Sequence, residues 1–230
     1  MTIFPDGFRP EAALIDMDGT LYDSMPNHSR AWMTMCGEQG LGFTPEEFFL
    51  LEGCTGAHTI DLIMLRERHR HATEEEKAAL YRRKTEIFAS LPPVSVMPGA
   101  PEMLATLRRF GIRRVLVTGS GQNTLLGRIE TDFPGIFLDG MRVTSRDVSR
   151  GKPHPEPYLR GAAIAGVDPS RCLVIENAPM GVEAGVAAGC FTVAVTTGPI
   201  PEKAMTDAGA HFVARSMPEF ARLLEESLSC

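Results

Sequence analysis

After Pro93 the chain alternates short apolar runs with helical stretches, and this rhythm constrains the fold of the 230-residue sequence more than any other feature. Helical periodicity covers Pro101 to Phe110, Asn123 to Thr131, Pro157 to Ala165 and Met180 to Ala188, with a last helix from Pro218. Between them lie the apolar runs Arg114 to Thr118, Cys172 to Ile175, Phe191 to Val195 and Phe212 to Ala214. Strands separated by helices need crossover connections, so the expectation is an α/β fold with a doubly wound, mostly parallel sheet covered on both faces. Ala13 to Ile15 has the same strand texture. Four helical segments separate it from the other strands, near Pro26 to Gln39, Pro45 to Leu51, His58 to His71 and Glu74 to Ser90. They read as an inserted helical unit at 24–92, leaving 1–23 and 93–230 as the core. Two of its helices open on capping boxes, Thr44 with Glu47 and Thr73 with Glu76, in which hydroxyl and carboxylate satisfy opposite orphan backbone donors.

Charge narrows the function classes. A net charge of -6 argues against a general nucleic-acid binder, because affinity for phosphate backbones rests on clustered Lys and Arg. The one basic cluster, Arg66 to His71, closes a helical pattern and reads as a solvated helix end. Cys36, Cys54, Cys172, Cys190 and Cys230 form no C-x-x-C pair, so neither a disulfide framework nor a zinc site is expected. With no run of 18 apolar residues and no basic leader, the expectation is a cytoplasmic, monomeric protein with no membrane partner.

In an open parallel sheet, ligands bind beyond the carboxyl ends of the strands, and four such ends are polar here. The first carries Asp16 and Asp18. A strand entering a tight turn explains one Asp. Two at this spacing share one face, roughly 6 to 7 Å apart, and repel unless a cation compensates. An EF-hand starting at Asp16 fails, because its positions 6 and 12 are Leu21 and Asn27. A small hard cation beside a reacting group is the stronger reading. The second end, Thr118-Gly119-Ser120-Gly121, is either a tight turn or a cradle of backbone N–H groups and hydroxyls for an anion, and it fits neither the dinucleotide fingerprint nor the P-loop. The third holds Lys152 on a proline-stiffened loop, a plain linker or a fixed ammonium for phosphate oxygens. At the fourth, Glu176 and Asn177 suit a magnesium ion with few protein ligands. Gathered at one sheet edge, these parts are what phosphoryl transfer needs.

DMDGT, VTGSG, GKPHPEP and IENAPMGVEAGVAAG resemble the four motifs of the haloacid dehalogenase superfamily, across nearly the whole chain. The likeness is closest to the β-phosphoglucomutase-like branch, whose members carry a helical cap inserted in a Rossmann-like core and include inorganic pyrophosphatases. The resemblance implies that Asp16 is a nucleophile forming an aspartyl-phosphate and that Asp18 is the acid and base. It implies Mg²⁺ on the Asp16 side chain, the Asp18 carbonyl, Glu176 and Asn177, with Thr118, Gly119, Ser120, Gly121 and Lys152 on the phosphoryl group. Asn177 stands where the family usually has Asp. Dehalogenases lack an acid at the position of Asp18, so dehalogenation is not expected.

Mutases of the branch grip a second phosphate with an Arg in the cap loop, and Gly56 occupies that position here. Glu52 in the same loop would repel a bare sugar phosphate but could bind the magnesium of a magnesium-pyrophosphate complex. The resulting expectation is a hydrolase of a small phosphorylated substrate, pyrophosphate first. Lys84, able to reach an anion from the cap, keeps a mutase or sugar-phosphate phosphatase as the alternative. His28 matches a mutase His that assists proton transfer on cap closure. Met33, Phe48, Phe49 and Met64 fall at helical spacing and read as packing. A phosphate-binding module without turnover is the reading from another class.

Overall fold

The computed structural model describes residues 2–120 and 123–229. Six strands form one wholly parallel sheet: β1 (Ala12–Ile15), β2 (Arg113–Val117), β3 (Arg142–Val143), β4 (Cys172–Glu176), β5 (Phe191–Val195) and β6 (Phe212–Ala214), in the order β3-β2-β1-β4-β5-β6. The order reverses at β1, whose neighbours are β2 and β4. Asp16 and Asp18 therefore leave the sheet at the crevice where open α/β sheets bind ligands.

Alternation along the strands builds two cores. Ala13, Ile15, Leu116, Leu173 and Ile175 face one side, under α5 (Ala100–Arg109) and α11 (Met217–Ser229), which pack on each other. Ala12, Leu14, Val115, Val117 and Val174 face the other, under α8 (Glu156–Ala165) and α9 (Pro179–Ala187). Every residue of β1 and β4 is buried, which is why both read as continuous apolar runs rather than alternating ones.

Between β1 and β2 the chain runs through α1 (Met25–Glu38), α2 (Pro45–Leu50), α3 (Gly56–Arg68) and α4 (Glu74–Ser90). Helix α1 packs on α2 and α4, and α3 on α4. Trp32 stacks on Phe48 at 5.7 Å and Phe43 packs tilted against Phe48 at 4.3 Å, so one ring ties three segments together. Burial of a ring of that size contributes about 2 to 3 kcal/mol. Both expected capping boxes are formed. The two connections to the core run side by side, with Met97 N–H donating to the Leu21 carbonyl at 2.9 Å and Asp23 N–H to that of Ser95 at 3.0 Å.

Three elements differ from the sequence reading. The helix expected over Asn123 to Thr131 is two short ones, α6 (Asn123–Leu126) and α7 (Ile129–Asp132), broken at Gly127. Strand β3 has two residues, too few for periodicity, and α10 (Glu202–Asp207) is a six-residue helix too short to show an amphipathic stripe. The basic cluster is largely exposed and forms the end of α3 as read: Arg66 and Arg68 lie in its last turn and His69, at φ 54°, caps it. Among the described residues no helix is long and apolar enough to cross a membrane.

Candidate active site

The carboxyl ends of β1, β2 and β4 bring the predicted groups together. At their centre is Lys152, fully buried on the loop before α8. Its ammonium donates to Asp16 Oδ1 at 2.5 Å, Glu176 Oε1 at 2.6 Å and the Val117 carbonyl at 3.2 Å. Burial alone would lower its pKa, but the two carboxylates raise it well above the ordinary lysine value, so Lys152 stays charged. Burial raises the pKa of Asp16 against the pull of Lys152, and Glu176 and Asp18 push it further up.

Asp18 is built differently. Burial would raise its pKa, but His28 Nε2 at 2.9 Å, the Ser24 hydroxyl at 2.7 Å and the more distant Lys84 outweigh that and hold it below the usual carboxylate range. Lys84 Nζ lies 2.6 Å from His28 Nδ1. An ionised Asp18 only accepts, so a neutral imidazole here carries its proton on Nε2 and leaves Nδ1 to accept from Lys84. Desolvation, then the charge of Lys84, depress the pKa of His28, and desolvation brings Lys84 down to about 7. His28 and Lys84 come from α1 and α4, two faces of one helix pair.

Glu176 and Asn177, paired on sequence grounds as donors to one cation, diverge. Glu176 Oε1 accepts from Lys152 and from the Tyr158 hydroxyl at 2.6 Å, and Oε2 from the backbone N–H groups of Asn177 and Ala178 at 3.0 and 3.3 Å. All four acceptor positions of that carboxylate are taken by the protein. Asn177 turns toward the cap: its amide donates to Glu52 Oε1 at 2.5 Å and its carbonyl accepts from Thr20 at 3.2 Å. Burial, then the nearby Asp16, Glu176 and Asp18, push the pKa of Glu52 well up against that hydrogen bond.

The chain between α2 and α3 crosses the mouth of the site. A Cβ on Gly119 would run into the Gly53 carbonyl, and one on Gly151 would lie 2.6 Å from Thr55 Cγ2, so glycines of two core loops seat this cap loop. Gly19, at φ 79°, would drive a Cβ into Asn177. Thr118 accepts at its hydroxyl from Ser120 N–H at 3.0 Å, and Thr118, Gly119 and Ser120 border a cavity of about 70 Å³ together with Asp16, Asp18, His28, Glu52 and Lys84. Gly121 lies outside the described residues. Trp32 and Tyr81 also line the cavity, as does Phe48, a core-packing ring that reaches its wall. Sequence reasoning missed Tyr158, Ser24, Trp32 and Tyr81. The only signal for Tyr158 was its place in the first helical turn after the Lys152 loop.

The donors suit a hard cation. Asp16, the Asp18 carbonyl, Asn177 and Glu52 offer oxygen only, and the raised carboxylates mark an excess of buried negative charge that a divalent ion would relieve. Among the described residues no three His, Cys, Asp or Glu side chains converge on one point, as expected where an amide, a carbonyl and water complete the set.

A family model of the haloacid dehalogenase-like hydrolases matches residues 10–189. The chain belongs to the haloacid dehalogenase-like hydrolases. It is 36% identical over 188 residues to hexitol phosphatase A of Escherichia coli, covering 81% of this chain and 83% of that one. It is 28% identical over 221 residues to 2-deoxyglucose-6-phosphate phosphatase 1 of Saccharomyces cerevisiae, covering 90% and 87%. A Bacteroides vulgatus structure provisionally named a beta-phosphoglucomutase superposes with a TM-score of 0.92 at 45% identity, over 98% of this chain and 93% of that one. The β-phosphoglucomutase-like branch and phosphatase chemistry follow. None of these relatives is named a pyrophosphatase, and their names point away from pyrophosphate as the favoured substrate.

Proposed function

We propose that this chain is a magnesium-dependent phosphohydrolase working through an aspartyl-phosphate on Asp16, with pyrophosphate as substrate. Asp16 Oδ1 is held by Lys152, which leaves its other oxygen to attack phosphorus. Lys152 then stabilises the charge that builds on the transferring group, and Thr118, Gly119 and Ser120 receive its oxygens. His28 relays the proton that Asp18 passes to the leaving oxygen: Nε2 gives one to Asp18 Oδ1 as Nδ1 takes one from the Lys84 ammonium, leaving a neutral imidazole and a neutral amine. The ionised Asp18 next takes a proton from the water that hydrolyses the intermediate. Asp16, the Asp18 carbonyl and Asn177 would hold the enzyme's magnesium, which would supply charge neutralisation at the phosphoryl oxygens, and Glu52 would face the metal that the substrate brings.

The observation that carries the substrate reading is the 2.5 Å hydrogen bond from Asn177 to Glu52. It places a cap carboxylate against the core's cation donors, where it favours a substrate that arrives with its own metal and disfavours a bare sugar phosphate. The far wall offers little grip for a second phosphate on a sugar: Gly56 lies beneath the Tyr81 ring with no room for a side chain. Lys84 is the cap's cation at the cavity, and it is already bonded to His28.

The second reading, a sugar-phosphate phosphatase, is favoured by the names of the relatives and by Trp32 and Tyr81 in the wall, rings suited to a sugar face. Magnesium-dependent phosphate release from pyrophosphate, hexitol and hexose phosphates and β-glucose 1-phosphate, with coupled detection of glucose 6-phosphate, separates the readings. Fastest release from pyrophosphate, lost in Glu52→Gln, is expected. Faster release from a sugar phosphate would establish the second reading, and glucose 6-phosphate formation would make the chain a mutase.

A further inference from the structure

We infer that Tyr158 is a positioning residue for phosphoryl transfer, locking Glu176 onto Lys152 so that the ammonium stays aimed at Asp16. This rests on the reading of Asp16 as nucleophile and extends it to a residue outside the four motifs' charged groups.

Tyr158 lies in the first turn of α8, six residues after Lys152, and has no solvent exposure. Its hydroxyl donates to Glu176 Oε1 at 2.6 Å, and its ring lies under the Lys152 ammonium, 5.0 Å from the centroid. Burial first, then the carboxylates of Glu176 and Asp16, keep the phenol protonated far above its ordinary range, so it is a permanent donor. A core position of this kind, among Leu14-side aliphatics of the sheet, asks only for a ring; burying a hydroxyl there costs stability unless a partner takes it.

The carboxylate it meets explains what the hydroxyl does. Two backbone N–H groups fix Glu176 Oε2, and Oε1 is shared by Lys152 and Tyr158. With the phenol present no lone pair of Glu176 is free, so the side chain cannot swing from the lysine toward a cation at Asp16. Without it, Oε1 has a vacant acceptor position, and the Lys152 bond loses its directional constraint. Lys152 is the sole side chain seen donating to both Asp16 and Glu176 among the described residues, so its aim determines how well charge on the transferring group is met.

The test is Tyr158→Phe, which keeps the ring and removes one oxygen, assayed on the substrate that the wild type turns over fastest. A drop of about tenfold in kcat with KM within twofold is expected, the scale of one hydrogen bond to a charged group. A double-mutant cycle with Glu176→Gln locates the effect: acting through Glu176, Tyr158→Phe costs less than twofold in that background. A binding readout accompanies it. Titration of magnesium-loaded enzyme with beryllofluoride, followed by ¹⁹F resonances of the adduct on Asp16, should show half-saturation about tenfold higher in Tyr158→Phe. Unchanged kcat and unchanged beryllofluoride affinity would overturn the assignment, as would an equal loss with and without Glu176. Should Tyr158→Phe unfold, Tyr158→His, which retains a donor, must recover folding and part of kcat or the assignment fails. If the wild type itself neither turns over nor binds beryllofluoride, the nucleophile reading fails instead, and the two failures are distinct.

Discussion

The Lys152 ammonium lies 2.5 Å from Asp16 Oδ1 with both side chains shut off from solvent, and Glu176 Oε1 lies 2.6 Å from the same nitrogen. One buried positive charge thus holds two buried negative ones. Removing one partner of such a pair leaves an uncompensated charge, which costs more than the pair itself contributes.

Lys152→Met should therefore unfold more easily by about 3 to 5 kcal/mol at pH 8, besides losing turnover. Without the ammonium, the folded-state pKa of Asp16, already raised by burial, rises further above its unfolded value. A carboxyl of that kind destabilises the fold once pH exceeds its unfolded pKa, so the deficit shrinks as pH falls toward that value. Urea unfolding at pH 8 and pH 5 measures this. An equal deficit at both would mean that packing, not charge, is what Met fails to replace.

Asp18→Asn keeps the volume and the acceptor for Ser24 but ends proton exchange. Turnover should fall by roughly 10² to 10⁴, with the loss largest in hydrolysis of the intermediate. Rapid quench with ³²P-labelled substrate should then leave label on the protein. Turnover within tenfold of wild type would remove Asp18 from the acid and base role.

The parts that were legible in the sequence are those that local chemistry dictates. The strands β4, β5 and β6 show as apolar runs because both faces of a parallel sheet are covered, and the helices of the insertion announce themselves by Thr44 and Thr73. The divergence of Glu176 from Asn177 was not legible. It depends on Tyr158 arriving from α8 and on Glu52 arriving from the cap, two contacts separated by 18 and 125 residues. Spacing along one strand reports which residues share an edge; it is silent on which long-range partner takes each oxygen.

Glycine seats for the cap loop give a prediction of a different kind. Gly151→Ala places a methyl 2.6 Å from Thr55 Cγ2 and should lower kcat/KM about tenfold by holding the cap ajar, with little loss of global stability. Thr55 is also the N-cap of α3, its hydroxyl accepting from His58 N–H. Thr55→Ser retains that cap and removes the methyl, so the double variant should recover most of the activity. Steady-state kinetics on the four proteins decide it; a double variant no better than Gly151→Ala would show that Thr55 is not what Gly151 accommodates.

The buried Lys84 makes stability depend on pH in a direction opposite to that of a salt-bridged lysine. Its amine faces His28 at 2.6 Å, with Asp18 beyond, and is enclosed by the rings of Trp32 and Phe88 at 5.3 Å and Tyr81 at 6.0 Å. Desolvation brings its pKa down to about 7, whereas an unfolded lysine titrates near ~10.4. Between those values the unfolded chain holds one proton more than the folded one, so stability rises with pH across that window. Lys84→Met has no such group. Relative to this variant, the wild type should gain about 2 to 3 kcal/mol between pH 7 and pH 9, the scale of two pH units for one proton. Urea midpoints of both proteins across that range provide the measurement. A constant difference would mean that Lys84 keeps its proton in the folded state, held by Asp18 through His28, and that the cap presents a fixed cation to the substrate.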